Sequence, residues 1–199
     1  KPANVLLCER GGTPDVIKVL DFGLVKQLGA PQDSKVMLSA VNQIVGTPLY
    51  LSPEAITTPN GMDGRSDLYA VGAVAYLLLT GTPPFTGNSV VEVCGHHLHT
   101  PPEPPSARLG RPVPPELERL VLRCLAKERE DRPRDAAALR DELLASELGR
   151  SWSSERATDW WVKRGRAIVE HQQKSGERGK VESRAPLVTR ELRMVAPVE

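Results

Sequence analysis

Two kinds of hydrophobic patterning divide the chain. Near its start the apolar runs are short, at residues 4–7 and 16–20, with Arg10-Gly11-Gly12-Thr13-Pro14-Asp15 between them. Two such runs around a Gly/Pro/Asp turn predict a small β-hairpin. Residues 24–50 hold no sustained period and scatter Ser, Gln, Asn and Gly. They read as a long loop, and a loop of that length inside a compact domain is usually functional. After residue 60 every element reads as helical. Residues 70–79 are apolar all round, which predicts a helix buried on most sides, with Ser66 and Asp67 as candidate N-terminal caps and Thr80-Gly81-Thr82-Pro83-Pro84 as its stop. A second helix is predicted over 89–97, ended by the proline-rich stretch 101–115. A third puts Leu117, Leu120, Val121, Cys124 and Leu125 on one face behind Pro114-Pro115-Glu116. A fourth begins near Pro133 and carries Ala136, Leu139, Leu143 and Leu144 at helical spacing. The fold class is therefore mainly α, with a short β-hairpin ahead of a helical bundle.

A further helix is predicted behind Ser153-Ser154-Glu155, with Ala157, Trp160, Trp161, Arg164, Ile168 and His171 on one broad face. All three tryptophans, Trp152 included, fall in this tail. An apolar stripe of that size has to be covered, and docking on the helical lobe is expected. The alternative is a membrane-surface or partner-binding helix, since Lys163, Arg164 and Arg166 lie nearby. Beyond Lys174 the composition turns polar and charged, which predicts disorder. The expected organisation is a body over 1–147, an appended Trp-bearing helix over 148–174 and a polar tail over 175–199.

Composition changes this picture little. The chain has 199 residues, 40% hydrophobic and 26% charged, with a net charge of +1, as in ordinary soluble domains. Residues 150–199 hold 11 Lys/Arg against 7 Asp/Glu, too weak a bias to indicate nucleic acid. Cys8, Cys94 and Cys124 form no CxxC pair and are expected to be thiols in a reducing, cytoplasmic setting. The longest apolar run would reach only about 15 Å as a helix, half of a bilayer core, so no membrane span is expected within the chain. No apolar leader follows Lys1-Pro2, and the missing initiating Met suggests a piece of a longer protein, whose membrane anchor could lie elsewhere. His96, His97 and His99 invite a metal reading. Adjacent His residues on a helix point about 100° apart, and no Cys or acidic partner completes a site, so packing is expected instead.

Four features occur in one order: Lys1-Pro2-Ala3-Asn4, Asp21-Phe22-Gly23, Gly46-Thr47-Pro48-Leu49-Tyr50-Leu51-Ser52-Pro53-Glu54, and Asp131-Arg132-Pro133. Each alone is weak, but the ordered set resembles the protein kinase family over about residues 1–147, and the bacterial Hanks type in particular. The resemblance implies a kinase-like C-lobe with the N-lobe absent, and an ATP- and Mg²⁺-dependent transferase acting on protein substrates. Phosphoryl transfer needs charge neutralised on the triphosphate, and Mg²⁺ prefers hard oxygen ligands. Asn4 and Asp21 would supply an amide and a carboxylate oxygen from the two ends of the hairpin. Phe22 would pack inward to hold the Asp, and Gly23 would let the backbone turn.

The resemblance also implies that Lys1 reaches the transferring phosphate and the substrate hydroxyl, and that Leu6 lies beneath the adenine ring. Thr47 would bond Lys1 and the catalytic Asp, and its surrounding pattern resembles the serine/threonine class. Glu54 would pair with Arg132, fixing the activation segment to the helical body. Asp67 would accept backbone hydrogen bonds from the catalytic loop, a role compatible with a plain N-cap. Ser34 and Ser39 are candidate phosphorylation sites, and ordinary loop serines otherwise. The family's catalytic Asp would fall two positions before Lys1, with its Gly-rich loop and strand lysine further upstream. The chain alone is thus expected to bind nucleotide weakly and to be inactive. The alternative from another class is a pseudokinase-like interaction module that binds another protein through the helical lobe and the tail.

Overall fold

The computed structural model describes residues 1–11, 13–20 and 48–165. They belong to two compact units, one from 1–24 with 147–199 and the other from 25–146.

In the first unit a 3-10 turn, Pro2–Asn4, leads into β1, Val5–Arg10, which pairs antiparallel with β2, Thr13–Val19. The strands run further into the turn than the apolar runs suggest. Val5 faces Val19, Leu7 faces Ile17 and Arg10 faces Thr13, with a bulge between Cys8 and Arg10. Pro14, which cannot donate to a ladder, sits beside that irregularity. The same unit holds α7, Glu147–Ser151, α8, Ser154–Trp160, and one wide turn, Trp161–Gly165. The indole N–H groups of Trp152 and Trp161 in the tail donate to the hairpin residue Asp15. Two indoles of the tail thus find a hydrogen-bond partner in the hairpin, which the expectation of docking on the helical lobe did not name. A carboxylate offers the indole N–H groups an acceptor, which apolar cover alone would not.

The second unit is helical. The short helix α1, Pro53–Thr57, begins at Ser52, whose Oγ accepts from the Ala55 N–H at 3.3 Å, with Pro53 in the first turn. Helix α2, Gly64–Thr80, is capped by Asp63, whose Oδ1 accepts from the Arg65 N–H at 2.8 Å. Ser66 and Asp67 are thus not caps but residues of the first turn, because the helix starts at Gly64, two positions upstream of Ser66. Gly81, at φ 77, stops α2 in the left-handed conformation. Helix α3, Val90–His99, opens on a variant of the capping box, with Ser89 Oγ accepting from Glu92 N–H and Glu92 Oε2 accepting from Asn88 N–H.

Within the proline-rich stretch lies a helix that spacing did not predict, α4, Pro105–Leu109. Pro105 is tolerated in the first turn, Glu118 Oε2 accepts the Ser106 N–H at 2.6 Å, and Gly110 at φ 62 ends the turn. Helices α5, Pro115–Cys124, and α6, Ala136–Ala145, complete the bundle. Leu68, Leu120, Cys124 and Leu139 form a buried cluster where α2, α5 and α6 meet. The crossing of α2 and α5 is close: a Cβ on Gly72 would stand 2.6 Å from the Cys124 Cβ. All three cysteines are free thiols, Cys94 and Cys124 buried and Cys8 half-buried. Among the described residues no helix is long and apolar enough to cross a membrane.

Candidate active site

The candidate residues divide between the two units. In the hairpin unit, Asn4 stands where the 3-10 turn meets β1, and both its backbone groups are engaged. Its N–H donates to the Lys1 carbonyl at 2.9 Å, and its carbonyl accepts from the Leu20 N–H at 2.7 Å. Leu20 is the residue before Asp21 in the sequence. Leu6 is half-buried and faces Lys18 across the ladder. Asp21, Phe22, Gly23, Ser34, Ser39 and Thr47 lie outside the described residues.

In the helical unit, Glu54 and Arg132 are joined although 78 residues separate them in sequence. Arg132 Nη1 donates to Glu54 Oε1 at 2.7 Å and Nη2 donates to Oε2 at 2.8 Å, the bidentate geometry that suits a guanidinium and a carboxylate. Arg132 is 3% exposed and Glu54 8%. A buried guanidinium has five N–H donors to satisfy. The remaining three go to the carbonyls of Ala126 at 2.9 Å, Arg65 at 3.0 Å and Lys127 at 3.0 Å. Ser66, which the cap expectation misplaced, donates its hydroxyl to Glu54 Oε1 at 2.5 Å. Burial by itself would raise the Glu54 carboxyl, but the hydrogen bonds from Arg132 and Ser66 outweigh it and hold it at about 2. The pair therefore stays charged and ties α1 to the start of α2 and to the segment after α5.

A second layer backs this pair. The Arg132 guanidinium lies 4.9 Å from the centre of the Tyr69 ring, and the Tyr69 hydroxyl is 2.8 Å from His97 Nδ1. The Phe85 ring meets His97 edge-on at 5.0 Å. Lys127 Nζ donates to the carbonyls of His96 and His97, closing the C-terminus of α3 with a cation, and lies 4.4 Å from the Phe85 ring centre. Burial, then the Lys127 charge, push His97 down to about 4, so it is neutral at pH 7. Burial, and after it Arg132, bring Lys127 down to about 8.

The histidines go separate ways. His97 is bound to Tyr69, and His96 Nδ1 pairs with Thr100 Oγ1 at 2.9 Å. Asp67 lies in the first turn of α2. Sequence reading missed Ser66, Tyr69 and Lys127 as members of the network. Tyr69 looks like one more core residue of an apolar helix, and only its place two turns below the cap at Asp63 puts its hydroxyl near α3.

A family model described as the protein kinase domain matches residues 1–144. The chain belongs to the protein kinase family. This kinase chain is also similar to the serine/threonine-protein kinase pkn3 of Myxococcus xanthus, 43% identical over 148 residues, which cover 73% of the chain and 26% of that protein. It is similar to the serine/threonine-protein kinase PknB of Mycolicibacterium smegmatis, 39% identical over 151 residues, 76% of the chain and 23% of that protein. The PknB of Mycobacterium tuberculosis is 40% identical over 144 residues, 72% of the chain and 22% of that protein. These relatives are by name bacterial serine/threonine-protein kinases, and they support a bacterial, Hanks-type member of the family. The chain spans about a quarter of the length of the curated relatives it matches. In this kinase segment the matched residues take in the hairpin and the Glu54–Arg132 network, and stop before α7 and the three tryptophans.

Proposed function

We propose that the chain supplies the metal ligands and the substrate platform of an ATP- and Mg²⁺-dependent serine/threonine protein kinase. The observation that carries this is the buried Glu54–Arg132 pair. It anchors the end of the segment running from Asp21 to Glu54, inside a stretch that matches the kinase domain. Asn4 and Asp21 would hold Mg²⁺, being an amide and a carboxylate oxygen donor, the hard ligands that ion prefers. Mg²⁺ would neutralise charge on the triphosphate. Lys1 would contact the transferring phosphate, Thr47 would position Lys1, and Leu6 would support the adenine. Phe22 and Gly23 would shape the turn after Asp21, Asp67 would brace the catalytic loop, and phosphate on Ser34 or Ser39 could order the loop through Arg pairing. Residues 1–147 form the kinase body in this reading, 148–174 an appended helix and 175–199 a polar tail. Protein substrates and ATP are its partners, and the free thiols suit a cytoplasmic setting.

Mg²⁺-dependent binding of a fluorescent ATP analogue tests the reading. The 199-residue chain is expected to bind weakly, and Asn4→Ala or Asp21→Ala to abolish the Mg²⁺ dependence. Binding that ignores both substitutions and the metal would overturn the metal-ligand roles and favour an interaction module. The chain alone is expected to show no phosphotransfer to a basic protein substrate, because no general base or Gly-rich loop is among its residues.

A further inference from the structure

The tail beyond the matched residues meets the hairpin at one carboxylate. Trp152 Nε1 donates to Asp15 Oδ2 at 2.9 Å, and Trp161 Nε1 donates to Asp15 Oδ1 at 2.7 Å. Two indoles nine positions apart therefore share the two oxygens of a single side chain, in bonds that are charge-assisted. The segment between them is built for this. Ser153 Oγ accepts from the Arg156 N–H at 3.2 Å, and Arg156 Nη1 donates back to the Ser151 carbonyl at 2.6 Å. Helix α8 lies against β2 with Ala157 buried, and the Trp160 and Trp161 rings meet edge-on at 5.2 Å. Asp15 itself holds φ 60, a left-handed conformation that Asp and Asn tolerate better than most residues.

A two-stranded hairpin is at best marginally stable in water. Among the described residues of 1–20 only Pro2 is buried, and Ile17 and Val19 remain 56% and 48% exposed. Within this unit the hairpin therefore draws order from what packs on it, and among the described residues α8, with the indole donors that flank it, does so. We infer that residues 147–165 act as a strap, in which docking on Asp15 and ordering of β1–β2 are one coupled equilibrium. The segment that follows the kinase domain then acts as a lever on the hairpin that follows Asn4. Withdrawing the tryptophans, by whatever engages that segment, loosens the hairpin.

Amide hydrogen exchange on the 199-residue chain tests the inference without nucleotide or metal, so its result is independent of the proposed catalytic role. Trp152→Phe/Trp161→Phe keeps both rings and deletes both N–H donors, leaving the hairpin sequence untouched. Asp15→Asn keeps the tolerance for left-handed φ and removes the charge and one acceptor. Both variants are expected to speed exchange in residues 5–10 and 13–19, by about tenfold in the double variant given the strength of charge-assisted bonds. Amides of α2 and α5 are expected to stay protected, which separates strap release from loss of fold. Coupling is reciprocal, so Ile17→Gly, which weakens β2, is expected to speed exchange in residues 154–165. Unchanged hairpin exchange once both indole donors are gone, or a tail indifferent to Ile17→Gly, would overturn the strap.

Discussion

Arg132 meets Glu54 with two parallel hydrogen bonds, and its other three donors end on main-chain carbonyls of three different residues. Every donor of a side chain that is almost wholly buried is thereby satisfied. This is the condition under which a buried ion pair holds a structure together instead of weakening it. Removing one partner leaves the other charge stranded. Arg132→Ala or Glu54→Ala is expected to destabilise the chain by about 3–5 kcal/mol in urea unfolding. Arg132→Lys should recover only part of the loss, because an ammonium lacks the planar fork. The pairing Glu54→Leu/Arg132→Met is expected to lie closer to the parent than either alanine variant. Single losses under about 1 kcal/mol, the worth of a surface pair, would refute this role.

Acid should unfold the helical unit in two overlapping stages. His97 titrates at about 4 when folded against 6.5 when free, so its contribution is complete above pH 6.5 and is lost as pH falls toward 4. Glu54 titrates at about 2 against 4.5, so its contribution is complete above pH 4.5 and is lost as pH falls toward 2. The histidine stage is worth on the order of 3 kcal/mol. His97→Gln, which can still pair with Tyr69, is expected to flatten stability between pH 6.5 and 4 while leaving the lower decline in place. A denaturant midpoint measured across pH that falls equally in both proteins would show that His97 is not responsible.

The Lys127 ammonium, which bonds the His97 carbonyl, disfavours a proton on the neutral His97 imidazole. Lys127→Met should therefore raise the His97 titration midpoint, readable from imidazole proton shifts, and fray the last turn of α3 by about 0.5–1 kcal/mol. A His97 midpoint that stays put would mean burial alone depresses it.

Two helical glycines should respond with opposite sign. At Gly72 a methyl group collides with Cys124, so Gly72→Ala is expected to cost about 1–3 kcal/mol by overpacking. At Gly95, in the middle of α3, nothing lies within 4 Å of the added carbon. Gly95→Ala is expected to stabilise by about 0.5–1 kcal/mol, the gain in helix propensity. Thermal melting of the two variants distinguishes them, and a Gly72→Ala variant as stable as the parent would deny the close crossing.

The long elements were legible because periodicity reports burial directly: the apolar run at 70–79 and the stripe from Leu117 to Leu125 can hardly be anything but core helices. The start of α2 was misplaced, since Gly64 and Arg65 are helical without being apolar and only the cap at Asp63 marks them. Helix α4 escaped because prolines suggest a loop, while its first N–H is satisfied by Glu118, twelve residues away. Motif order named the family, since it reports chemistry that spacing alone cannot. The docking place of the tryptophans was out of reach: an apolar stripe says that a face is covered, not by what, and the partner is one Asp 137 residues upstream of Trp152. The same holds for Tyr69 and His97, whose meeting depends on how two helices cross.

The three free thiols are distributed in a way that turns them into internal timers. Cys8 belongs to the hairpin unit, whereas Cys94 and Cys124 belong to the helical one, where burial raises both and takes Cys124 to about 11. A brief pulse of an alkylating reagent at neutral pH therefore marks Cys94 and Cys124 only while the helical unit is open, because a buried protonated thiol is inert. The half-buried Cys8 is accessible without opening. Counting adducts by mass on Cys124 against Cys8 as internal reference would clock the opening of the helical unit in one sample, with no probe added to the chain.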